Sequence, residues 1–404
     1  MPSAKPVVKK HLERTVNFSW SQILEDPRSK INLKWNFDYV INTAFFSMLT
    51  GQLDLRKVED FSENFEERIS DTLFHLLLPK IDAEPLRKLI ADEVKKAHRN
   101  HELLNNDFPI ILIAIDGKCS SISKQSVGLF SQKSECNGGV HYLNRVLRAA
   151  IVSSKTVLIL GQREIHGKTS ESTEFIPFMQ ELISMYGKTN LLGTITVDAG
   201  MNALKNADFL VDNGNDYIMA LKNPQKKLVE LGHKLLVHRE KCDKETIEYG
   251  NGKIVKRQLF RCSAPEGTNW SHLKQFWRIR QETKNEKGIA VEDRYFITSL
   301  DVDILSDAEV MKAIRMHWGI ENNANWVFDT AWEEDDSPWC NKAFVFVTLM
   351  RILAYNINSR LKERRLRKKN DRERSWKGIL QMIYIVLIEM KHELKIEVFA
   401  TCEV

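Results

Sequence analysis

Apolar and polar positions divide the chain into stretches of different period. From about Trp20 to Asn100 the apolar residues recur at helical spacing. FDYVINTAFFSMLTGQ predicts a long helix stopped by Gly51. LRKLIADEVKKAHRN predicts a second helix with its charges on one face. Asp26-Pro27-Arg28 marks a turn before the first of these. Residues 1–17 read as a mobile polar arm, and residues 1–105 as a helical N-terminal domain.

At Phe108 the pattern switches. FPIILIAID is a continuous, Ile-rich apolar run, which suits a central strand buried on both faces. HYLNRVLRAAIVSS and KTVLILGQREI predict two more strands, turned at Ser153-Ser154-Lys155. STEFIPFMQELISMYG predicts a helix capped by Ser172 or Thr173 and ended by Gly187. LLGTITVD is again a strand, MNALKNADFLVDNG a helix with an Asn-Gly stop, and DYIMALK a further strand. Three strands, helix, strand, helix, strand is the order of an RNase H-like core, a mixed sheet with helices on its faces. Its first part spans 106–225.

Between Gln225 and Leu300 the period falls to two. ETIEYG, KIVKRQLFRCS, FWRIRQETKN and DRYFITSL alternate between turn signals, which predicts a β-rich insertion over 226–303. DAEVMKAIRMHWGIENNANWVFDTAW and NKAFVFVTLMRILAYNINSRLKERR then read as helices. They supply the second part of the core, 304–360, and lead into a basic helical tail, 361–404. The predicted class is α/β: an RNase H-like catalytic core with a β-rich insertion, a helical N-terminal domain and a basic helical C-terminal tail. No tandem repeat interrupts it.

Composition adds three constraints. At 404 residues and 43% hydrophobic, the chain can bury a large core in roughly two or three domains. The net charge is only +5, but RLKERRLRKKNDRERSWK, from Arg360 to Lys377, concentrates the cations. Such a run is a nucleic-acid patch or a solvated helix face. Cys119, Cys136, Cys242, Cys262, Cys340 and Cys402 form no CxxC pair, and no histidines flank them at zinc spacing. A disulfide framework and a zinc finger are therefore not expected. MPSAKPVVKKHLERT has no apolar signal region, and ILQMIYIVLIEM is too short and charge-flanked to span a bilayer. A soluble, cytoplasmic protein without a membrane partner is the expectation.

Three acids carry the candidate chemistry. Asp116 ends the apolar run IILIAID, Asp198 ends TITVD, and Glu321 lies in the helical MHWGIENNANW. A carboxylate at a strand end is rigid while its oxygens stay accessible. Two of these with a third from a helix form an oxygen-ligand set for Mg²⁺ or Mn²⁺, two ions of which serve phosphoryl transfer. Singly, each acid is equally well a turn residue or a helix cap. The element order places the two strand-end acids on neighbouring strands.

The blocks IAIDGK, LGQREIHGKTSESTEFIPFMQEL, TVDAGMNALKNADFLVDNGNDYIMALKNPQKKL and MHWGIENNANWVFDTAWEED resemble the H-repeat-associated family of DDE transposases. With WSQILEDPRSK the resemblance covers roughly residues 17 to 360. It implies an RNase H-like core with a β-strand insertion before the third acid, and makes Asp116, Asp198 and Glu321 the DDE triad. It implies a metal-dependent enzyme that cuts transposon ends in double-stranded DNA and joins them to target DNA. The expected assembly is a homodimer around two ends, on the bacterial nucleoid. Related cut-and-paste enzymes carry tyrosine, arginine, glutamate and lysine where this chain has Ile314, His317, Glu321 and Phe328. Only the glutamate matches, which leaves open whether cleavage passes through a hairpin. A non-cleaving DNA-binding relative and a nuclease without joining activity are the competing readings.

Lys118, Lys222 and Asn223 follow strand ends and are candidate contacts to the scissile phosphate, with ordinary surface residues the alternative. His317 is another, if charged. Arg257 and Arg261 share a strand face and are candidates to track a DNA backbone, as are Arg364, Arg365, Arg367 and Lys368 in the basic run. Asp329, Glu334 and Asp335 are read as a solvated acidic helix end, with metal support as the second reading. Trp318, Trp326 and Trp332 recur at near-helical spacing and are read as core. Trp270 and Trp277 are read as packing residues of the insertion, with base stacking as the alternative.

Overall fold

The computed structural model describes residues 4–29, 33–105, 107–124, 126, 128–136, 139–222, 225–250, 252–286, 288–335, 341–394 and 397–398. Its centre is one mixed sheet. The strands are β1 (Leu112–Ser123), β2 (Ser131–Cys136), β3 (Gly139–Ile151), β4 (Leu158–Glu164), β5 (Thr194–Val197) and β6 (Tyr217–Leu221). They continue as β7 (Lys244–Gly250), β8 (Lys253–Ser263), β9 (Gln275–Asn285) and β10 (Gly288–Thr298). The order is β2-β3-β1-β5-β6-β10-β9-β8-β7, and β4 pairs the second half of β3. β1 is antiparallel to β3 and parallel to β5, which is parallel to β6.

The helices are α1 (Lys5–Thr15), α2 (Trp20–Ile23), α3 (Phe37–Leu49), α4 (Leu55–Phe65), α5 (Asp71–Leu77) and α6 (Glu84–Arg99) before the sheet. Within it come α7 (Glu171–Tyr186), α8 (Leu204–Asp212) and α9 (Lys226–Leu236). After it come α10 (Asp307–His317), α11 (Trp326–Ala331), α12 (Phe344–Arg360), α13 (Lys369–Arg372) and α14 (Trp376–Met390). No helix among the described residues is long and apolar enough to cross a membrane.

Pleating explains the unbroken apolar run at β1. Leu112 and Ala114 join the core that holds the N-terminal helices, α12 and α14, while Ile113 and Ile115 join the core under α7, α8 and α9. With helices on both faces, every position must be apolar. Burying each large side chain contributes roughly 1.5–3 kcal/mol. α12 is buried almost all round, from Phe344 to Arg360. Its Asn356 bonds both the N–H and the C=O of Ile159, completing part of the free edge of β4.

Several sequence expectations are corrected. The supposed mobile arm is α1, whose Val8 and Leu12 are fully buried and whose Lys5 and Lys9 pair with Glu389 and Glu393. Its apolar stripe is only two residues wide among lysines, too weak a period to read. Strand one does not end at Asp116; β1 runs on to Ser123 because β3 pairs it throughout. α7 starts at Glu171 behind Ser170, before the predicted caps. α9 occupies the start of the segment predicted to be β-rich. The four strands that follow extend the same sheet, β10 pairing with β6.

The tryptophans also divide. Trp332 is buried and donates from Nε1 to the Met48 carbonyl at 2.7 Å. Trp318 and Trp326 are exposed instead. The chain widens into a π-helical turn at Glu321–Asn325, which resets the helical phase before Trp326. Trp277 is fully buried and Trp270 packs against the second core, as packing residues do.

Candidate active site and nucleic-acid interface

β1 and β5 lie side by side with Ile115 opposite Val197. Asp116 and Asp198 therefore leave the paired positions at the same level. Asp198 follows the last residue of β5 and precedes the turn Ala199–Met201, its carbonyl accepting from the Met201 N–H. Glu321 opens the π-helical turn between α10 and α11. π turns leave backbone groups without regular partners, and here the Tyr355 hydroxyl donates to the Asn323 carbonyl at 2.6 Å. Asn325, at the other end of the turn, donates to Asp116 Oδ2 at 3.3 Å.

The acids act on one another. Burial, then the charges of Glu321, Glu171 and Asp198, push Asp116 up to about 7, against a hydrogen bond from the Gly117 N–H. Burial, then Asp198, raises Glu321 as well. Three separated acids have thus been gathered into one field. Among the described residues no three His, Cys, Asp or Glu side chains stand close enough to hold a metal ion as they lie.

A fourth acid belongs to this field and is not singled out by the sequence pattern. Glu171, in the first turn of α7, is half-buried; burial raises it, Arg145 opposes, and Asp198 raises it further. A Cβ built on Gly117 would collide with Glu171 Oε1, and one on Gly200 would lie 3.9 Å from Oε2. Both glycines stand within two residues of a predicted catalytic aspartate. The DGK and DAG spacing is the available signal: it marks room kept for something beside each acid.

Under the site lies a buried ionic cluster. Glu334 is fully buried, not solvated as predicted. It accepts from Arg148 at 2.9 and 2.5 Å, from Ser120 at 2.9 Å and from Arg351 at 3.3 Å. Arg148 also donates to Gln162 and to Asn325 Oδ1, and it lies over the Phe328 ring. Arg148 thereby turns the Asn325 amide so that its NH₂ faces Asp116. Asp329 pairs with Lys118 at 2.5 Å. The sequence shows a run of acids; only the fold reveals that β3 and α12 bring arginines to meet it.

The predicted cationic contacts fall into two groups. Lys222 is exposed and 3.4 Å from Asp198, beside the site. Lys118 sits beside it too but is nearly enclosed against Asp329. Asn223 lies outside the described residues. His317 is half-buried with Nδ1 3.3 Å from Thr196 Oγ1; burial lowers it to about 4 against the pull of Asp198, so it is neutral at pH 7. Arg257 is held by Gln281 and Glu248, and Arg261 by Asp307 and the Leu305 carbonyl. Arg364 bonds Thr156 and the Glu102 carbonyl, and Arg365 bonds Glu102.

Arg367 and Lys368 are exposed, and they line a cavity of about 930 Å³ closed by α1. Lys10, Arg14, Lys96, Arg360, Arg364 and Arg365 line it as well, with Asp371 as the acid among the described lining residues. Lys10, Arg14, Arg367 and Lys368 show no ion pair among the described residues. Their uncompensated charge makes this cavity a positive feature apart from the acidic site.

Comparison with known proteins identifies a family. The model for "Transposase DDE domain" matches residues 107–357, from just ahead of β1 into α12. The chain belongs to the DDE transposases. Among curated relatives it is 26% identical over 343 residues to "Putative transposase YncI" of Escherichia coli O157:H7, covering 78% of this chain and 80% of that protein. It is 29% identical over 242 residues to "H repeat-associated putative transposase YhhI" of Escherichia coli K12, covering 56% and 57%. Among solved structures it is similar to a piggyBac transposase synaptic complex with hairpin DNA, at TM-score 0.48 and 13% identity over 96% of this chain and 79% of that one. The family expected from the four sequence blocks is thus the family found.

Proposed function

We propose that this transposase cuts DNA at transposon ends and joins the ends to target DNA, with Asp116, Asp198 and Glu321 as its catalytic carboxylates. The observation that carries the reading is their convergence from β1, β5 and the π-helical turn, where burial first and then the charges of Glu321, Glu171 and Asp198 lift Asp116 to about 7. The core strand order β4-β3-β1-β5-β6 supports an RNase H-like catalytic core. The donor set is entirely carboxylate oxygen, which hard ions such as Mg²⁺ and Mn²⁺ take, and a dication would relieve the repulsion among the acids. When bound, such ions polarise the phosphate and lower the pKa of the attacking hydroxyl. The side chains must swing toward one another to share them.

In cleavage, water attacks phosphorus and the P–O3′ bond breaks, leaving a 3′-OH and a 5′-phosphate. In joining, that 3′-OH attacks a target phosphodiester and releases a target 3′-OH. Bond count is conserved, so no energy source is consumed. Lys222, 3.4 Å from Asp198, is the contact to the scissile phosphate in this reading. A homodimer supplies one site to each of two ends, and the protein works in the cytoplasm at the nucleoid.

The test is cleavage of a labelled duplex bearing the flanking inverted repeat. Nicking is expected with Mg²⁺ or Mn²⁺ and none with EDTA; Glu321→Gln is expected to lose it by roughly a hundredfold or more. Tight binding without cleavage in any metal would overturn the reading in favour of a non-cleaving relative.

The basic cavity supports a second contact with DNA, through the backbone. Replacing Lys10, Arg14, Arg367 and Lys368 with glutamine is expected to weaken duplex binding and flatten its dependence on salt. The slope falls by about 0.9 for each phosphate that is no longer neutralised. Binding titrations between low and moderate salt check this, and an unchanged slope assigns the residues to a solvated surface.

A further inference from the structure

We propose that Glu171 is a fourth carboxylate of the divalent-cation site, contributed by α7 from the opposite face of the sheet to Asp116. This rests on the function proposed above. Successive residues of a strand face opposite ways, so Asp116 and Gly117 look to different sides of β1. Gly117 presents only a hydrogen to the α7 side, and the Glu171 carboxylate occupies the space where a side chain would stand. Gly200, two residues beyond Asp198, has Glu171 Oε2 3.9 Å from where its Cβ would stand, which is ordinary contact. The carboxylate thereby lies against the backbone next to Asp116 and near the turn that follows Asp198.

An ordinary first-turn glutamate complements its helix and points into water. Glu171 does neither fully. It is half-buried, and burial with the charge of Asp198 raises it while Arg145 only partly offsets them. Four carboxylates within one another's field are unfavourable in the absence of a cation. A ligand of charge +2 makes the arrangement favourable. Gly117 adds a cost in chain entropy to make room for this carboxylate.

The test is Mn²⁺ binding to the full-length protein, measured by calorimetry without DNA. Wild type is expected to bind, and Glu171→Gln to bind about tenfold or more weakly, as loss of a supporting ligand does. In cleavage, the Mn²⁺ concentration for half-maximal rate is expected to rise by a similar factor, with DNA affinity unchanged. Gly117→Ala is a second variant. Its Cβ must displace the flexible end of Glu171, so it should reproduce the defect while folding normally. If it acts through Glu171, adding Gly117→Ala to Glu171→Gln costs little further. Wild-type Mn²⁺ affinity in Glu171→Gln, or fully additive losses in the double variant, overturns the proposal. Absence of Mn²⁺ binding by the wild type overturns the metal-dependent function itself.

Discussion

Asp116→Asn is expected to abolish cleavage and, without metal, to make the protein more stable. Loss of activity by a factor of roughly a thousand follows from removing a charge that must face the reacting phosphate. The gain in stability follows from burial and from neighbouring acids, which raise the carboxyl from 3.8 to about 7. Between those values the folded chain binds more protons than the unfolded chain. Its stability therefore falls as pH rises through that window, and the full cost is present above about pH 7. Each pKa unit corresponds to about 1.4 kcal/mol, which sets a ceiling of about 4 kcal/mol. Partial exposure screens the charge, so the expected gain is nearer about 1–2 kcal/mol. Asparagine keeps the shape and can still accept from Asn325. Thermal melts in EDTA at pH 5 and pH 8 check this: the variant's advantage should be larger at pH 8. Adding Mg²⁺ should raise the wild-type melting temperature and leave the variant's nearly unchanged. A variant that cuts normally would remove Asp116 from the catalytic set.

That a site is less stable than its own inactivated form fits how it is legible in sequence. Asp116 stands out because an acid follows an apolar run that only a two-sided burial explains. Asp198 stands out in the same way. Local pattern reveals both, along with β1, β5 and the alternating strands β7 to β10, whose period is a property of neighbouring residues. Glu171 escapes notice because cap preference favours Ser172 or Thr173, which puts the acid outside the helix. The helix instead starts behind Ser170, and at least two extra residues of helix change an ordinary loop glutamate into a member of the site. The acid run near Glu334 misleads for a different reason. Its partners, Arg148 and Arg351, lie 186 and 17 residues away, and no local pattern pairs them. Arg257, Arg261, Arg364 and Arg365 fail as free cations in the same manner. A basic residue is legible in sequence, but whether its charge is already used is settled by tertiary contacts.

Glu334→Gln is expected to destabilise the fold by about 3–5 kcal/mol. The substitution keeps size and shape but leaves Arg148 and Arg351, both about 2% exposed or less, without a counter-charge. Burial alone would raise Glu334; Arg148, Arg351 and Lys118 instead hold it down to about 2. Its contribution is therefore complete above the ordinary carboxyl value of 4.5 and is lost as pH falls toward about 2. Denaturant titrations should show the wild type and the variant far apart at pH 7 and converging on acidification. Replacing Arg148 and Arg351 with methionine and Glu334 with leucine removes the uncompensated charges and should recover most of the lost stability. It should not recover cleavage. Asn325 then has no guanidinium to orient its amide, and Asp116 loses the donor that fixes it. A triple variant that is both stable and fully active would make the cluster purely structural. Stability restored without activity would show that the cluster's role is to aim a carboxylate.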